Sequence, residues 1–198
     1  YYDYSDDRET GSLKLAVIGF DVSDNPVNPE LLGIIVVDKE VGYEEGQYVS
    51  LAVDEESSML HLAYYDANNK ELKYARGFGE VWSIETVDNS SNDVGKYASL
   101  ALDNEGNPHI SYYAKNEAEG GALKYARRNP DNYNEWLIEV IEEGEEVGLY
   151  SSIAWDDNLS VPHFAYIARI GDVYAVKHAT RKGIMNAIEP NFLSGTMG

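Results

Sequence analysis

Residues 97–114 read YASLALDNEGNPHISYYA. Two apolar runs, YASLALD and PHISYYA, flank Asn104-Glu105-Gly106-Asn107, residues that tolerate positive φ and close a short hairpin. The string is repeated on both sides. YVSLAVD from Tyr48 precedes LHLAYYD from Leu60, and YSSIAWD from Tyr150 precedes PHFAYIA from Pro162. Each first strand begins two residues after a glycine: Gly46, Gly95 or Gly148. A third run follows each pair, LKYAR from Leu72 and Leu123 and VKHAT from Val176, with LKLAV from Leu13 as an earlier copy. A fourth is WSIETVD from Trp82, WLIEVIE from Trp136, LGIIVVD from Leu32 and a degraded NAIEPNF from Asn186.

The chain is therefore a tandem array of about four units of about fifty residues, with four short strands A to D in each. The units span 1–40, 41–90, 91–146 and 147–198. Along strand A, period-two alternation puts Tyr48, Ser50 and Ala52 on one face and Val49, Leu51 and Val53 on the other, so neither face is consistently polar. A sandwich strand would show one solvated face. A propeller blade, packed between two neighbours, needs apolar groups on both. The expected fold is all-β, a β-propeller of about four consecutive four-stranded blades. Tyr1-Tyr2-Asp3 aligns with strand B, so the first unit lacks strand A, which implies part of a larger ring. The small Ala52, Ala101 and Ala154 suit an innermost strand.

Composition bounds the function. Thirty-five Asp and Glu against fifteen Lys and Arg give a net charge of -20, which repels phosphate backbones and argues against nucleic acid as a partner. The absence of cysteine removes disulfides, thiolate metal sites and cysteine nucleophiles. No apolar run approaches the roughly 20 residues of a membrane span, so this segment is not expected to insert into a membrane.

The unit Y-x-S-L-A-x-D, P-H-I-S-Y-Y, L-K-Y-A and W resembles the repeats of bacterial secreted and cell-surface β-propeller proteins, over nearly the whole chain. It is distantly similar to NHL-type propellers. Asp103-Asn104-Glu105-Gly106 has the Asp-x-x-Gly of a sialidase Asp-box, without the aromatic expected after it. The resemblance implies an extracellular or cell-surface location and a non-enzymatic binding or scaffold role, with a glycan or protein as ligand; fold alone does not choose between them. The alternative is an incomplete part of a sialidase-like glycan-processing enzyme. No Gly-x-Ser-x-Gly, phosphate-binding glycine loop or His-Glu-x-x-His supports catalysis, and no catalytic residue is assigned.

Recurrent polar residues read as framework. His61, His109 and His163 hold one place in strand B, where a hydrogen bond to Ser50, Ser99 or Ser152 is expected rather than a metal. Lys73, Lys124 and Lys177 are expected opposite Glu85, Glu139 and Glu189 in the C–D hairpin. Trp82 and Trp136 are expected to be largely buried. Tyr64, Tyr65, Tyr112, Tyr113, Tyr166, Tyr74 and Tyr125 read as packing residues with their hydroxyls near the rim. Tyr48, Tyr97 and Tyr150, where strand A enters at the axis end, are the candidate ligand-binding residues. Glu142, Glu143, Glu145 and Glu146 make that rim acidic, a weak suggestion of Ca²⁺, though no loop has the oxygen spacing of a calcium loop. No other cofactor is expected.

Overall fold

The computed structural model describes residues 2–4, 11–19, 30–38, 45–90, 93–116 and 120–181. Every regular element among them is a strand, and the strands form four sheets in chain order. The first holds β1 (Tyr2–Tyr4), β2 (Gly11–Gly19) and β3 (Glu30–Asp38). The second holds β4 (Glu45–Val53), β5 (Leu60–Asp66), β6 (Glu71–Phe78) and β7 (Val81–Asp88). The third holds β8 (Val94–Leu102), β9 (Pro108–Asn116), β10 (Gly120–Asn129) and β11 (Asn132–Gly144). The fourth holds β12 (Leu149–Asp156), β13 (Val161–Ile170) and β14 (Val173–Thr180). All pairs are antiparallel neighbours in sequence. The expected strand at NAIEPNF lies outside the described residues.

Within a sheet the small alanines answer a steric need. Ala52, Ala101 and Ala154 pair directly with His61, His109 and His163 across the A–B hairpin. Between sheets the apolar residues form buried clusters: Leu62, Tyr64 and Ala75 with Leu13 and Val37; Leu72 and Tyr74 with Ile110 and Tyr112; Leu123 and Tyr125 with Phe164 and Tyr166. Both faces of a central sheet are covered, which is why its strands do not alternate between apolar and polar. Strand A of each sheet packs beside strand A of the next, β4 by β8 and β8 by β12. Serines stitch them: the amides of Leu100 and Ile153 donate to Ser50 Oγ (3.0 Å) and Ser99 Oγ (3.1 Å) in the preceding sheet.

A polar device repeats at each seam. The carboxylate that ends strand D of one sheet accepts from a strand-B tyrosine of the next and pairs with its strand-C lysine: Asp38 with Tyr64 (2.6 Å) and Lys73 (3.5 Å), Asp88 with Tyr112 (2.7 Å) and Lys124 (3.1 Å), Glu142 with Tyr166 and Lys177. This corrects the expected lysine partners. Glu85 and Glu139 stand opposite Tyr74 and Tyr125, while Lys73 and Lys124 face Thr86 and Val140, because Gly77 and Arg128 pair with the tryptophans and offset the register by one. The glutamates are instead gripped across the seams, Glu85 by Arg128 and Glu139 by Arg181. Glu189 lies outside the described residues.

Strand A of the second sheet and strand C of the fourth are more open than their counterparts. Val49 and Leu51 of β4 are 41% and 49% exposed, whereas their counterparts Ala98 and Leu100 are 9% and 7%. Val176 of β14 is 67% exposed, whereas Leu72 and Leu123 are 0%. Trp82 and Trp136 are partly buried, each resting on the edge of a cluster, as the expectation of substantial burial has it.

Candidate functional site

Tyr48, Tyr97 and Tyr150 are brought together. Each follows a glycine by two residues and sits at a register shift between strands A and B, the mark of a bulge. The glycines are required: a Cβ on Gly95 or Gly148 would come within 2.8 Å of the Cα of Leu72 or Leu123 in the preceding sheet. After this close approach the chain turns through the left-handed region, with φ of 52°, 55° and 51° at the three tyrosines. That conformation is costly for a bulky side chain. It throws the rings into a row with centroids 4.7 Å apart from Tyr48 to Tyr97 and 4.4 Å from Tyr97 to Tyr150. Tyr65 and Tyr113 buttress it edge-on, each at 6.1 Å. Burial, the neighbouring phenols and hydrogen bonds with Tyr150 and Tyr48 push the Tyr97 hydroxyl up to about 12.

The acidic rim beside the row is more fully paired than a count of glutamates suggests. Glu142 holds Tyr166 and Lys177, Glu145 holds Arg169, and Glu146 accepts from Tyr174 at 2.6 Å. Among the described residues no group of three or more His, Asp or Glu side chains is gathered as a metal centre requires.

The strand-B histidines are framework residues, with partners other than the expected serines. His61 Nδ1 shares a 2.6 Å hydrogen bond with Tyr74 Oη, His109 Nδ1 pairs with Tyr125 Oη, and His163 Nδ1 lies 3.0 Å from His178 Nε2. Burial, with a smaller push from Arg76, lowers His61 to about 4. The tyrosines read as packing residues behave so: Tyr64, Tyr74, Tyr112, Tyr125 and Tyr166 are buried with their hydroxyls bonded.

A second concavity was not foreseen. A cleft of about 300 Å³ lies between the third and fourth sheets, at the opposite end of the innermost strands from the tyrosine row. Its lining includes Asp103, His109, Tyr125, Arg127, Arg128, Tyr133, Trp155 and Arg181. These come from four strands, the hairpin after β8 and the residue that follows β14, so no local motif announces them.

No family profile matches the chain, and no curated protein does. Solved structures resemble it in fold. An endo-1,4-beta-xylanase from Bacteroides thetaiotaomicron, of propeller type, is 15% identical with a TM-score of 0.50; the match covers 79% of this chain and 56% of that one. A fucose lectin from Kordia zhangzhouensis in complex with methyl-fucoside is 19% identical with a TM-score of 0.47, covering 75% of this chain and 99% of that one. The chain thus spans little more than half of the xylanase, and the likeness bears on fold alone.

Proposed function

We propose that the four units, 1–40, 41–90, 91–146 and 147–198, are consecutive blades of a β-propeller, part of a larger ring, in a secreted or cell-surface protein that works by binding a glycan. Support for the ring comes from apolar positions left open. Val49 and Leu51, beside a first sheet without strand A, and Val176 in the fourth sheet occupy positions that a neighbouring sheet closes elsewhere. A strand A in the first unit and a further unit after the fourth would bury them in the same way.

The observation that carries the binding role is the tyrosine row. Three backbone positions hold a left-handed conformation costing on the order of 1–3 kcal/mol each; the outer rings of the row stay open to solvent, 39% at Tyr48 and 64% at Tyr150, with Tyr97 half-buried between them. Packing alone would not call for that exposure. Phenol rings offer flat apolar faces to the C–H faces of sugars and hydroxyls to their oxygens. One ring per blade suits an extended ligand of several residues.

The test is a panel of oligosaccharides against the full chain, alongside Tyr97→Ser and Tyr150→Ser. The reading expects binding without consumption of the glycan, weakened about tenfold or more in Tyr97→Ser while circular dichroism is unchanged. Hydrolysis of a bound glycan would favour the processing-enzyme alternative, and binding equal in all three proteins would remove the row from the account.

A further inference from the structure

The cleft between the third and fourth sheets combines three features rarely gathered without a ligand. Hydrogen-bond donors come first. Arg127, Arg128 and Arg181 are three of the six arginines in the chain, and all three line this one space. The Nε of each is buried with no hydrogen-bond partner among the described residues, as is that of Arg76 outside the cleft. The Arg128 guanidinium is turned to the seam with the second sheet, where Glu85 takes both terminal nitrogens. Glu139 lies 2.8 Å from Arg181 Nη1 and 3.7 Å from Arg127 Nε, and these two side chains keep 13% and 16% of their surface open beside the cleft.

Aromatic walls come second. Trp155 stacks on His109 with centroids 4.2 Å apart, and Tyr133, 46% exposed, leans on Arg128 with the guanidinium 4.9 Å from its centroid. In the seam between the second and third sheets the counterpart of Tyr125 is Tyr74, and there Trp136 packs edge-on to it at 5.2 Å. One unit later the alignment of the repeats has Asn186 where Trp136 stands.

Acceptors come third. Asp103 and Glu105 line the same space, with Asp103 fixed by Asn107 Nδ2 at 3.0 Å and by His109 Nε2 at 3.2 Å. Burial raises the Asp103 carboxyl, but the hydrogen bonds from His109 and Asn107 outweigh this and hold it below the usual carboxylate range. It is therefore an anionic acceptor at neutral pH.

We propose that this cleft is a second binding site, for a single neutral sugar residue. Against Glu139, Asp103 and Glu105, the Arg127 and Arg181 guanidiniums leave no positive surplus, and a chain of net charge -20 repels anions at long range. A hydroxyl-rich, uncharged ring takes the arginine donors and returns hydrogens to Asp103 and Glu105, with its apolar face on an aromatic wall. A volume of about 300 Å³ is at the small end for ligand sites and suits one ring rather than a chain. The site stands independently of the tyrosine row.

The experiment is a titration of the full chain with neutral hexoses and 6-deoxyhexoses, with glucuronic acid, and with an Asp- and Glu-rich peptide. The indole N–H resonance of Trp155, assigned with Trp155→Phe, is the readout. A neutral monosaccharide shifts it saturably; Arg181→Gln and Tyr133→Ala weaken that binding about tenfold. Tyr133→Ala removes an exposed ring and keeps the test informative if Arg181→Gln unfolds. Tyr97→Ser leaves the titration unchanged, which separates this site from the row. No saturable shift with any neutral sugar at tens of millimolar, or a shift with the uronic acid or the acidic peptide alone, overturns the proposal.

Discussion

At Asp88 a carboxylate that ends the outer strand of one sheet receives Tyr112 and Lys124 from the next, with Asp88 2% exposed. Burial raises its carboxyl, but hydrogen bonds from Ser90 and Tyr112 and the charge of Lys124 more than reverse this. Asp88→Ala strands a lysine and a phenol in a shielded seam and should cost about 3–5 kcal/mol, read from urea denaturation midpoints. Asp88→Leu with Lys124→Met should recover most of that loss, since no charge is then left unpaired. His61 offers a second test. It is 0% exposed, its Nε2 has no hydrogen-bond partner among the described residues, and its folded value of about 4 lies below the ordinary 6.5. The unfolded chain therefore binds the proton first. Stability is fully present above pH 6.5 and is lost as pH falls towards 4, before the lowered carboxyls of Asp66, Asp88 and Asp103 titrate below their ordinary 3.8. Thermal melts of His61→Gln should lack the decline between about 6.5 and 4 and keep the one below it. A wild-type melting temperature flat across that window would contradict the burial of a neutral imidazole.

The elements show how much a repeat reveals and where it stops. Strands A and B could be read from recurring strings because hairpin partners lie a few residues apart and turn chemistry marks the junction at Asn104 to Asn107. The lysine partners could not. Alignment within one unit places Lys73 near Glu85, but strand C runs on through Gly77 and Phe78, and the tight turn at Gly79-Glu80 makes Gly77 the partner of Trp82. One residue of offset sends the lysine to another sheet. Gly95 was legible only as a spacing. Its φ of 108° and its approach to the backbone of Leu72 are properties of the seam. Gly95→Ala should therefore cost about 1–3 kcal/mol, more than a loss of backbone freedom alone would suggest, and should drag Tyr97 out of the row. Near-ultraviolet circular dichroism would report the second effect separately from the denaturation midpoint.

At the scale of the whole molecule, the candidate ligand surface was legible because the Gly-x-Tyr spacing recurs in the second, third and fourth units, and stacking the units superimposes what recurs. The cleft was hidden for the opposite reason. Arg127 ends the recurring LKYAR, but Arg128, Trp155 and Arg181 follow no shared motif, and they line one space only where the third and fourth sheets meet. The central claim is that successive units stack so as to assemble one aromatic ligand surface. Photo-oxidative dityrosine cross-linking with peptide mapping tests it most directly. The account predicts links from Tyr48 to Tyr97 and from Tyr97 to Tyr150, their loss in Tyr97→Phe, and their suppression by a bound oligosaccharide. Cross-links that join other tyrosines and spare these two pairs, or these two links unchanged at saturating glycan, would contradict it.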